Sequence, residues 1–436
     1  MVFLTLVMFV GFVAFELGRD GKVSYSSLIY PGLAALVFLI LHIVLRFVLP
    51  RADGLLLPLA AGLTFLGLVL IARLDPGTVN PTTGKLVHNY SLVRAQIIWL
   101  AVAGVAFVLV VLFLRNYESL ARYKYTIGIA AILLLAVPMF AGTKVNGAKL
   151  WLDIGPMHFQ PSELAKVLLV IFLAAFFAEK HELLSISTHR VVGVPVPELK
   201  YFIPLLAMWG VSVLIMIFQK DLGSSLLFFG IFICMLYAAT ARKTYVLVGT
   251  CLFILGAFLC YLAFAHVQVR VTTWLRPLNP ATIQKQSYQI SQSLFALSSG
   301  GASGTGLGLG YPKFIPSVAT DFIFSAVGEE LGFLGAGAVI IMYILFVARG
   351  IKVALVHRDD FGKLLALGLV SVIGLQAFII MGGVTRLIPL TGITLPFMSY
   401  GGSSLFANFI LLGLLMVLSH RGATTNVASL RKAANK

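Results

Sequence analysis

The sequence predicts an all-α polytopic membrane protein. Three observations carry that prediction. Mean hydropathy is +1.00. Charged residues make up only 11% of the 436 positions. Apolar runs of about 18 residues or more, long enough to cross a bilayer as a helix, recur along the whole chain. The segments read as about twelve spans, over roughly 1–18, 28–50, 55–72, 95–114, 123–141, 162–179, 200–218, 222–241, 244–266, 323–348, 361–385 and 393–419. The first is expected to be retained rather than cleaved. Met1 opens directly into apolar sequence without a basic flank, and Glu16 and Leu17 stand where a cleavage site needs small residues. An even number of spans puts both termini on one side. The basic tail (Arg421, Arg431, Lys432, Lys436) assigns that side to the cytoplasm, as do the basic short loops at 115–124 and 349–363. The net charge of +16 is therefore not a nucleic-acid footprint, because Lys and Arg sit in loops between spans rather than on one soluble face. Cys234, Cys251 and Cys260 fall inside apolar spans, without metal-ligand spacing.

The organisation expected is two N-terminal spans (1–54), a membrane core (55–420) and a short cytoplasmic tail (421–436). The longest polar connection, 267–322, lies outside. Within it Ile290, Leu294 and Leu297 follow helical spacing, which predicts an amphipathic helix lying at the outer surface. The run SSGGASGTGLGLG at 298–310 follows. It lacks the Gly-Lys-Ser/Thr ending of a phosphate-binding loop and reads as a flexible loop. Gly328 and Gly332, four residues apart, read as a helix-packing pair within the chain.

Polar residues collect in four places that this topology puts on the outer face. The richest is YPKFIPSVATDFIFSAVGEELGFLG at 311–335, which holds Asp321, Glu329 and Glu330, three of the 16 acids in the chain. Acids in hydrocarbon are costly and usually line a site, although Asp321 could equally cap the helix that follows it. The second is NGAKLWLDIGPMHFQPSELAK at 146–166, where Glu163 and Lys166 share a helix face and could form no more than a local ion pair. The third is QKDLGSS at 219–225, in which Asp221 could act as a helix cap. The fourth is LIPLTGITLPFMSYGGSS at 387–404, preceded by Arg386. Spans 6, 8, 10 and 12 would present their N-termini outward. With Lys149, Lys166, Arg270, Arg276 and Arg386 as cationic candidates, those ends would suit an anion such as phosphate. Residue chemistry alone leaves a transporter, a lipid-head-group enzyme and a receptor open.

The motifs NGAKLW…FQPSELAK, Q-x-DLGSS, YQISQSLFALSSGGASGTGLG, ATDFIFSAVGEELGF and LPFMSYGGSS, in this order, resemble the SEDS family (shape, elongation, division and sporulation), the RodA and FtsW proteins of bacterial cell-wall synthesis. The resemblance implies a core of ten membrane helices, to which this chain adds two. It implies peptidoglycan glycosyltransferase activity, polymerising lipid II at the outer face of the cytoplasmic membrane beside a class B penicillin-binding protein, with membrane lipids around it. It places the catalytic aspartate at Asp321, the Glu-x-x-Lys pair at Glu163 and Lys166, and the DLG aspartate at Asp221. Lys149, Trp151, Glu329, Glu330, Arg386, Ser399 and Ser403 complete the expected substrate-binding set. Asp321 would take the proton of the acceptor 4-hydroxyl. Lys166, Lys149 and a divalent cation (Mg or Mn, at a site the sequence does not assign) would meet the pyrophosphate that leaves. A flippase of lipid II and a scaffold for the crosslinking partner are the other function classes.

The chain departs from the family pattern in places. Leu150 precedes the motif tryptophan where arginine is common, Lys220 replaces a proline, and Ser317 and Ala319 replace polar residues before TDFIF. The sequence PLTGITLP, without the lysine of division-type members, favours the elongation branch. One balance is left open. An ordinary aspartate, with a pKa of about 3.9, is a weak base at neutral pH. Burial beside Phe322 and Phe324 would raise that value, and a helix N-terminus would lower it.

Overall fold

The computed structural model is predominantly helical, and it describes all residues except 25–26, 76–77, 80–85, 88–89, 115, 146–147, 156, 186–188, 192–193, 197–198 and 435–436. Asn146 and Gly147 of the second polar motif, and Lys436 of the basic tail, lie outside the described residues. The helices of the first half are α1 (Val2–Asp20), α2 (Ile29–Val48), α3 (Leu56–Leu74), α4 (Ser91–Phe113), α5 (Glu118–Arg122), α6 (Lys124–Ala141), α7 (Pro161–Ser185) and α8 (Leu199–Phe218). Those of the second half are α9 (Leu222–Thr240), α10 (Lys243–Ala263), α11 (Ala265–Leu275), α12 (Tyr288–Gly300), α13 (Ile323–Glu330), α14 (Gly332–Val356), α15 (Asp360–Val384) and α16 (Gly402–Ala434). Among the described residues, 11 helices are long and apolar enough to cross a membrane, and α8 adds a shorter apolar stretch over Ile203–Phe218. The chain is a multi-pass membrane protein, with eleven such helices and the shorter stretch of α8 where hydropathy predicts about twelve spans.

Helices α3, α7, α15 and α16 form the centre, and α10 lies at the periphery with no buried residue. Helix α16 packs on α4, α15 on α7, α9 and α14, α6 on α7, α1 on α3, and α2 on α4. Lipid tails are as apolar as leucine, so close packing rather than escape from water holds such helices together. Phe409 illustrates it: its fully buried ring lies 5.8 Å from Phe38, 6.5 Å from Phe107 and 5.9 Å from Phe397. Each such aromatic pair adds about 0.5–1.5 kcal/mol.

Two expected spans are corrected. The tenth does not run unbroken from 323. It is split into α13 and α14 at Leu331, because Gly332 takes a left-handed φ of 65° that ends the first helix. The glycine-rich run is not a loose loop but the piece that closes this break. Thr305 N–H donates to the Glu329 carbonyl at 2.9 Å and Gly306 N–H to that of Glu330 at 3.0 Å. In return, the Gly301 and Ala302 carbonyls accept from Phe333 N–H (2.9 Å) and Leu334 N–H (3.1 Å). Both orphan ends are thereby satisfied within one loop, as non-helical backbone at membrane depth requires. Of the glycine pair, Gly328 does pack a neighbour, since a Cβ there would lie 2.3 Å from Leu297 of α12, whereas Gly332 makes the break.

The twelfth span starts at Gly402 rather than 393. Pro389 and Pro396 lack amide donors, and positive φ at Gly392 (73°) and Phe397 (65°) keeps 387–401 non-helical. The amphipathic helix exists as α12, with one face packed on α13 and the end of α15 and with Phe295, Ser298 and Ser299 exposed on the other. Ser293 Oγ donates to the Val384 carbonyl at 2.9 Å and pairs with Ser325 Oγ at 2.7 Å. Hydropathy also gives no hint of the small antiparallel sheet of Thr143–Val145, Ala148–Ile154 and Met157–Phe159 that precedes α7.

Candidate active site

The site grows from the turn that carries Asp321. Ser317 adopts a φ of 57°, and its carbonyl accepts from Thr320 N–H and Asp321 N–H, both at 3.1 Å. This turn is sewn to the 395–400 segment. Ser399 Oγ donates to the Thr320 carbonyl at 2.5 Å and accepts from Leu395 N–H at 2.9 Å. Tyr400 N–H donates to the Ala319 carbonyl at 2.8 Å. The 395–400 segment is itself fixed from three sides. Fully buried Tyr343 donates its hydroxyl to the Pro396 carbonyl at 2.5 Å. Gln96 Nε2 donates to the Ser399 carbonyl at 3.3 Å. Gly67 of α3 sits so close that a Cβ would lie 2.2 Å from the Met398 carbonyl oxygen.

Asp321 caps no helix: the residue before α13 is Phe322, and no side chain bonds the free N–H groups there. Capping therefore does not account for this acid. Its Oδ2 lies 3.5 Å from the point where a Cβ at Gly392 would stand, and Arg270 Nη2 lies 4.0 Å from the same point. Gly392, with a left-handed φ of 73°, places its backbone beside both the carboxylate and the guanidinium. Arg270 projects from α11 and is held by two carbonyls, with Nη1 donating to Leu390 and Thr391 at 2.9 Å each. Its charge acts on both Asp321 and Asp221.

Asp221 caps α9 and also belongs to this cluster. Ser224 N–H donates to its Oδ1 at 3.0 Å and Ser224 Oγ to its Oδ2 at 2.7 Å. Gly223 lets α9 press against the Thr391 backbone, where a Cβ would lie 2.8 Å from the carbonyl oxygen. The next link is the buried pair of α7. Lys166 Nζ donates to Glu163 Oε2 at 2.6 Å and to Gln376 Oε1 at 2.7 Å, and Gln376 Nε2 donates to the Thr394 carbonyl at 2.8 Å. The Glu163 charge in turn reaches Asp221. Asp321, Arg270, Asp221, Glu163 and Lys166 thus form one electrostatic chain at one end of the bundle.

Burial wins the balance that the sequence leaves open at Asp321. Loss of water raises its pKa from 3.8 to about 6, with the Thr320 hydroxyl and Arg270 opposing and Asp221 adding to the rise. A carboxylate in that range accepts a proton near neutrality far better than an ordinary aspartate.

The remaining expected residues are placed elsewhere. Glu329 and Glu330 are buried under the glycine-rich loop: Tyr311 N–H donates to Glu329 Oε1 at 2.7 Å, Gly308 N–H to Glu330 Oε2 at 3.2 Å, and Arg73 Nε lies 3.0 Å from Glu330 Oε1. Arg386 fastens α11, its Nε donating to the Trp274 carbonyl (2.9 Å) and Nη2 to that of Leu275 (3.0 Å). Ser403 Oγ accepts from Gln160 N–H at 2.8 Å and so ties the small sheet to α16. Lys149 is exposed and Trp151 partly exposed on the long strand of that sheet. Ser399 positions the Asp321 turn through its hydroxyl, as described above.

Sequence reasoning passed over Gln96 and Gln376. The available signal was an amide side chain inside an otherwise apolar span, where polar groups face the protein interior. Arg270 was only one of five cationic candidates. No sequence spacing links it to Asp321, because α11 and the turn meet only in the fold. Among the described residues, no group of three or more His, Cys, Asp or Glu side chains is arranged to hold a metal ion.

Comparison with known proteins agrees with this architecture. The family model described as Cell cycle protein, covering FtsW, RodA and SpoVE, matches residues 53–423. Peptidoglycan glycosyltransferase RodA of Mycobacterium tuberculosis (strain ATCC 25618 / H37Rv) is 44% identical over 422 residues, 96% of this chain and 88% of that protein. Probable peptidoglycan glycosyltransferase FtsW of Geobacter metallireducens (strain ATCC 53774 / DSM 7210 / GS-15) is 34% identical over 375 residues, 85% and 95% of the two chains. Among solved structures, a chain from work on structural coordination of polymerization and crosslinking by a peptidoglycan synthase complex superposes with a TM-score of 0.67 at 28% identity, covering 85% of this chain and 98% of that one. The rod shape determining protein RodA of Thermus thermophilus superposes with a TM-score of 0.57 at 27% identity, covering 85% and 97%. With its helical bundle, its ordered motifs and this match over residues 53–423, the chain belongs to the FtsW, RodA and SpoVE family of cell cycle proteins.

Proposed function

We propose that the protein is a peptidoglycan glycosyltransferase that polymerises lipid II into glycan strands at the outer face of the bacterial cytoplasmic membrane. The observation that carries this reading is Asp321: a partly buried acid that caps no helix, has a pKa of about 6, and lies beside Gly392 together with Arg270. In the reaction, Asp321 Oδ2 accepts the proton of the acceptor sugar's 4-hydroxyl as that oxygen bonds to the donor's anomeric carbon. The bond from that carbon to the lipid pyrophosphate breaks, and the pyrophosphate leaves with the electron pair. A positioned base contributes typically 10²–10⁴-fold, or ~3–5 kcal/mol. Arg270 and Lys166 supply positive charge toward the phosphates.

A divalent cation fits in the manner usual for magnesium, through one or two carboxylates plus substrate phosphates rather than an all-protein cage. Asp221 is the carboxylate that would hold it, with Asp321 kept free to take the proton, and it would add charge opposite the leaving group. The basic tail and the span count support cytoplasmic termini and an outward site. Identity of 44% to a RodA against 34% to an FtsW favours cell elongation over division. A class B penicillin-binding protein is the partner this reading implies, since a polymerised strand needs a crosslinking enzyme beside it.

The test uses purified wild type and Asp321→Asn with lipid II and Mg²⁺, each with and without the partner, and follows glycan on a gel. Wild-type polymer and none from Asp321→Asn is the expected result. Equal polymer from both removes Asp321 from the chemistry. No polymer from either, with lipid II crossing in a vesicle assay, replaces the polymerase with a flippase.

A further inference from the structure

Residues 1–52 lie outside the family match, yet α1 touches the loop that carries the catalytic turn. The contact is backbone on backbone. A Cβ at Gly18 would lie 2.3 Å from the Leu307 carbonyl oxygen. From the other side, Gly308 has a φ of 88°, and a Cβ there would lie 2.6 Å from the Phe15 carbonyl oxygen and 3.0 Å from Arg19 N. Only glycine on both sides permits this approach. The residues just beyond Gly308 are pinned to the core. Gly308 N–H donates to Glu330, Arg73 Nη2 donates to the Gly310 carbonyl at 2.8 Å, and Tyr311 N–H donates to Glu329. From there a short 3₁₀ turn at Pro312–Phe314 and the buried Ile315 lead to Ser317, where the Asp321 turn begins. No long helix lies between Gly308 and Asp321 to absorb a displacement.

We propose that α1 is a positioning element for the glycosyl transfer: the Gly18–Gly308 contact sets where the 304–321 loop sits, and through it where Asp321 presents its carboxylate. Gly18 and Gly308 are the positioning residues. The inference rests on the glycosyltransferase reading above, and it gives the first N-terminal span a role in the reaction.

Gly18→Ala tests it, with Gly308→Ala approaching the same contact from the loop side and Gly32→Ala as control. Gly32 lies in α2 with nothing within 4 Å of a Cβ. Gly18→Ala and Gly32→Ala gain the same helix propensity, so only the contact distinguishes them. Polymerisation of lipid II is followed with each monodisperse protein. For Gly18→Ala and Gly308→Ala, kcat is expected to fall about 10- to 100-fold, the usual effect of misplacing a reacting group by about an ångström. KM is expected to hold within about threefold, since the contact does not touch substrate. The acid limb of the rate profile is expected to move below that of the wild type, as the displaced carboxyl gains water. Gly32→Ala keeps both the wild-type kcat and the wild-type acid limb. Full kcat with an unmoved acid limb in either contact variant overturns the proposal while leaving the polymerase intact. Loss of the monodisperse fold in either contact variant assigns the contact to folding instead and also overturns it. A wild type without activity rejects the underlying reading rather than the brace.

Discussion

Asp321 is an acid that the fold makes expensive. Its pKa stands at about 6 instead of 3.8, so the folded state holds the proton more tightly than the unfolded chain does. The sign follows directly. Below about pH 4 the group is neutral in both states and costs nothing. As the pH rises through 4 to 6 the unfolded chain ionises first, and stability falls; above about 6 the full penalty, on the order of 3 kcal/mol, is present. Asp321→Asn, which removes the charge and keeps the shape, should therefore raise thermal stability at pH 7–8 by about 2–3 kcal/mol and leave it unchanged near pH 3.5, while abolishing polymer formation. Thermal unfolding of wild type and variant at both pH values checks this; a variant no more stable at pH 8 would contradict the burial of the charge. The sequence marks Asp321 as an acid beside an apolar run, but the direction of its shift was not legible there. It depends on how far the fold removes the carboxyl from water and on Arg270 arriving from α11, and no local spacing encodes either.

At the scale of elements, hydropathy locates most spans to within a few residues, and the two that begin late, α14 and α16, have local backbone causes that hydropathy does not register. Apolar composition continues through the α13–α14 break, so the periodicity that marks a helix shows no interruption at Leu331. The information lies in Gly332, read naturally as helix packing, and in a glycine run more than twenty residues upstream in sequence that supplies the missing hydrogen bonds. Gly332→Ala tests that account. It forces a Cβ to 2.3 Å from Gly304 N and puts alanine in a left-handed backbone, so it should cost about 2 kcal/mol or more in unfolding free energy. Gly337→Ala, farther along α14 with open space around it, should be near neutral or stabilising. Equal stability of the two variants would mean that the break is not held as described.

Across the whole molecule the two ends are built differently. At the end away from Asp321, charged side chains latch the helices. Arg349 Nε donates to Asp53 at 2.9 Å, Tyr117 OH donates to Asp359 at 2.9 Å, and Asp359 also accepts from Gly362 N–H at 2.6 Å and caps α15. At the Asp321 end, loops packed through glycine and carbonyl contacts bring together residues from α7, α9, α11, the 317–321 turn and the 387–401 segment. The four polar clusters of the sequence do converge there in part: Glu163, Lys166, Asp221, Asp321 and Ser399 meet, whereas Glu329, Glu330 and Arg386 brace the loops around them. Topology made the convergence legible, and only the three-dimensional packing separates the residues that form the site from those that support it. The central claim is that a partly buried carboxylate of raised pKa acts as the base. The most direct measurement is the pH dependence of single-turnover glycan bond formation by the wild-type protein at saturating lipid II. The account predicts an acid limb that is half-maximal near pH 6. A limb near pH 4, or a rate that does not fall between pH 8 and pH 5, would contradict it.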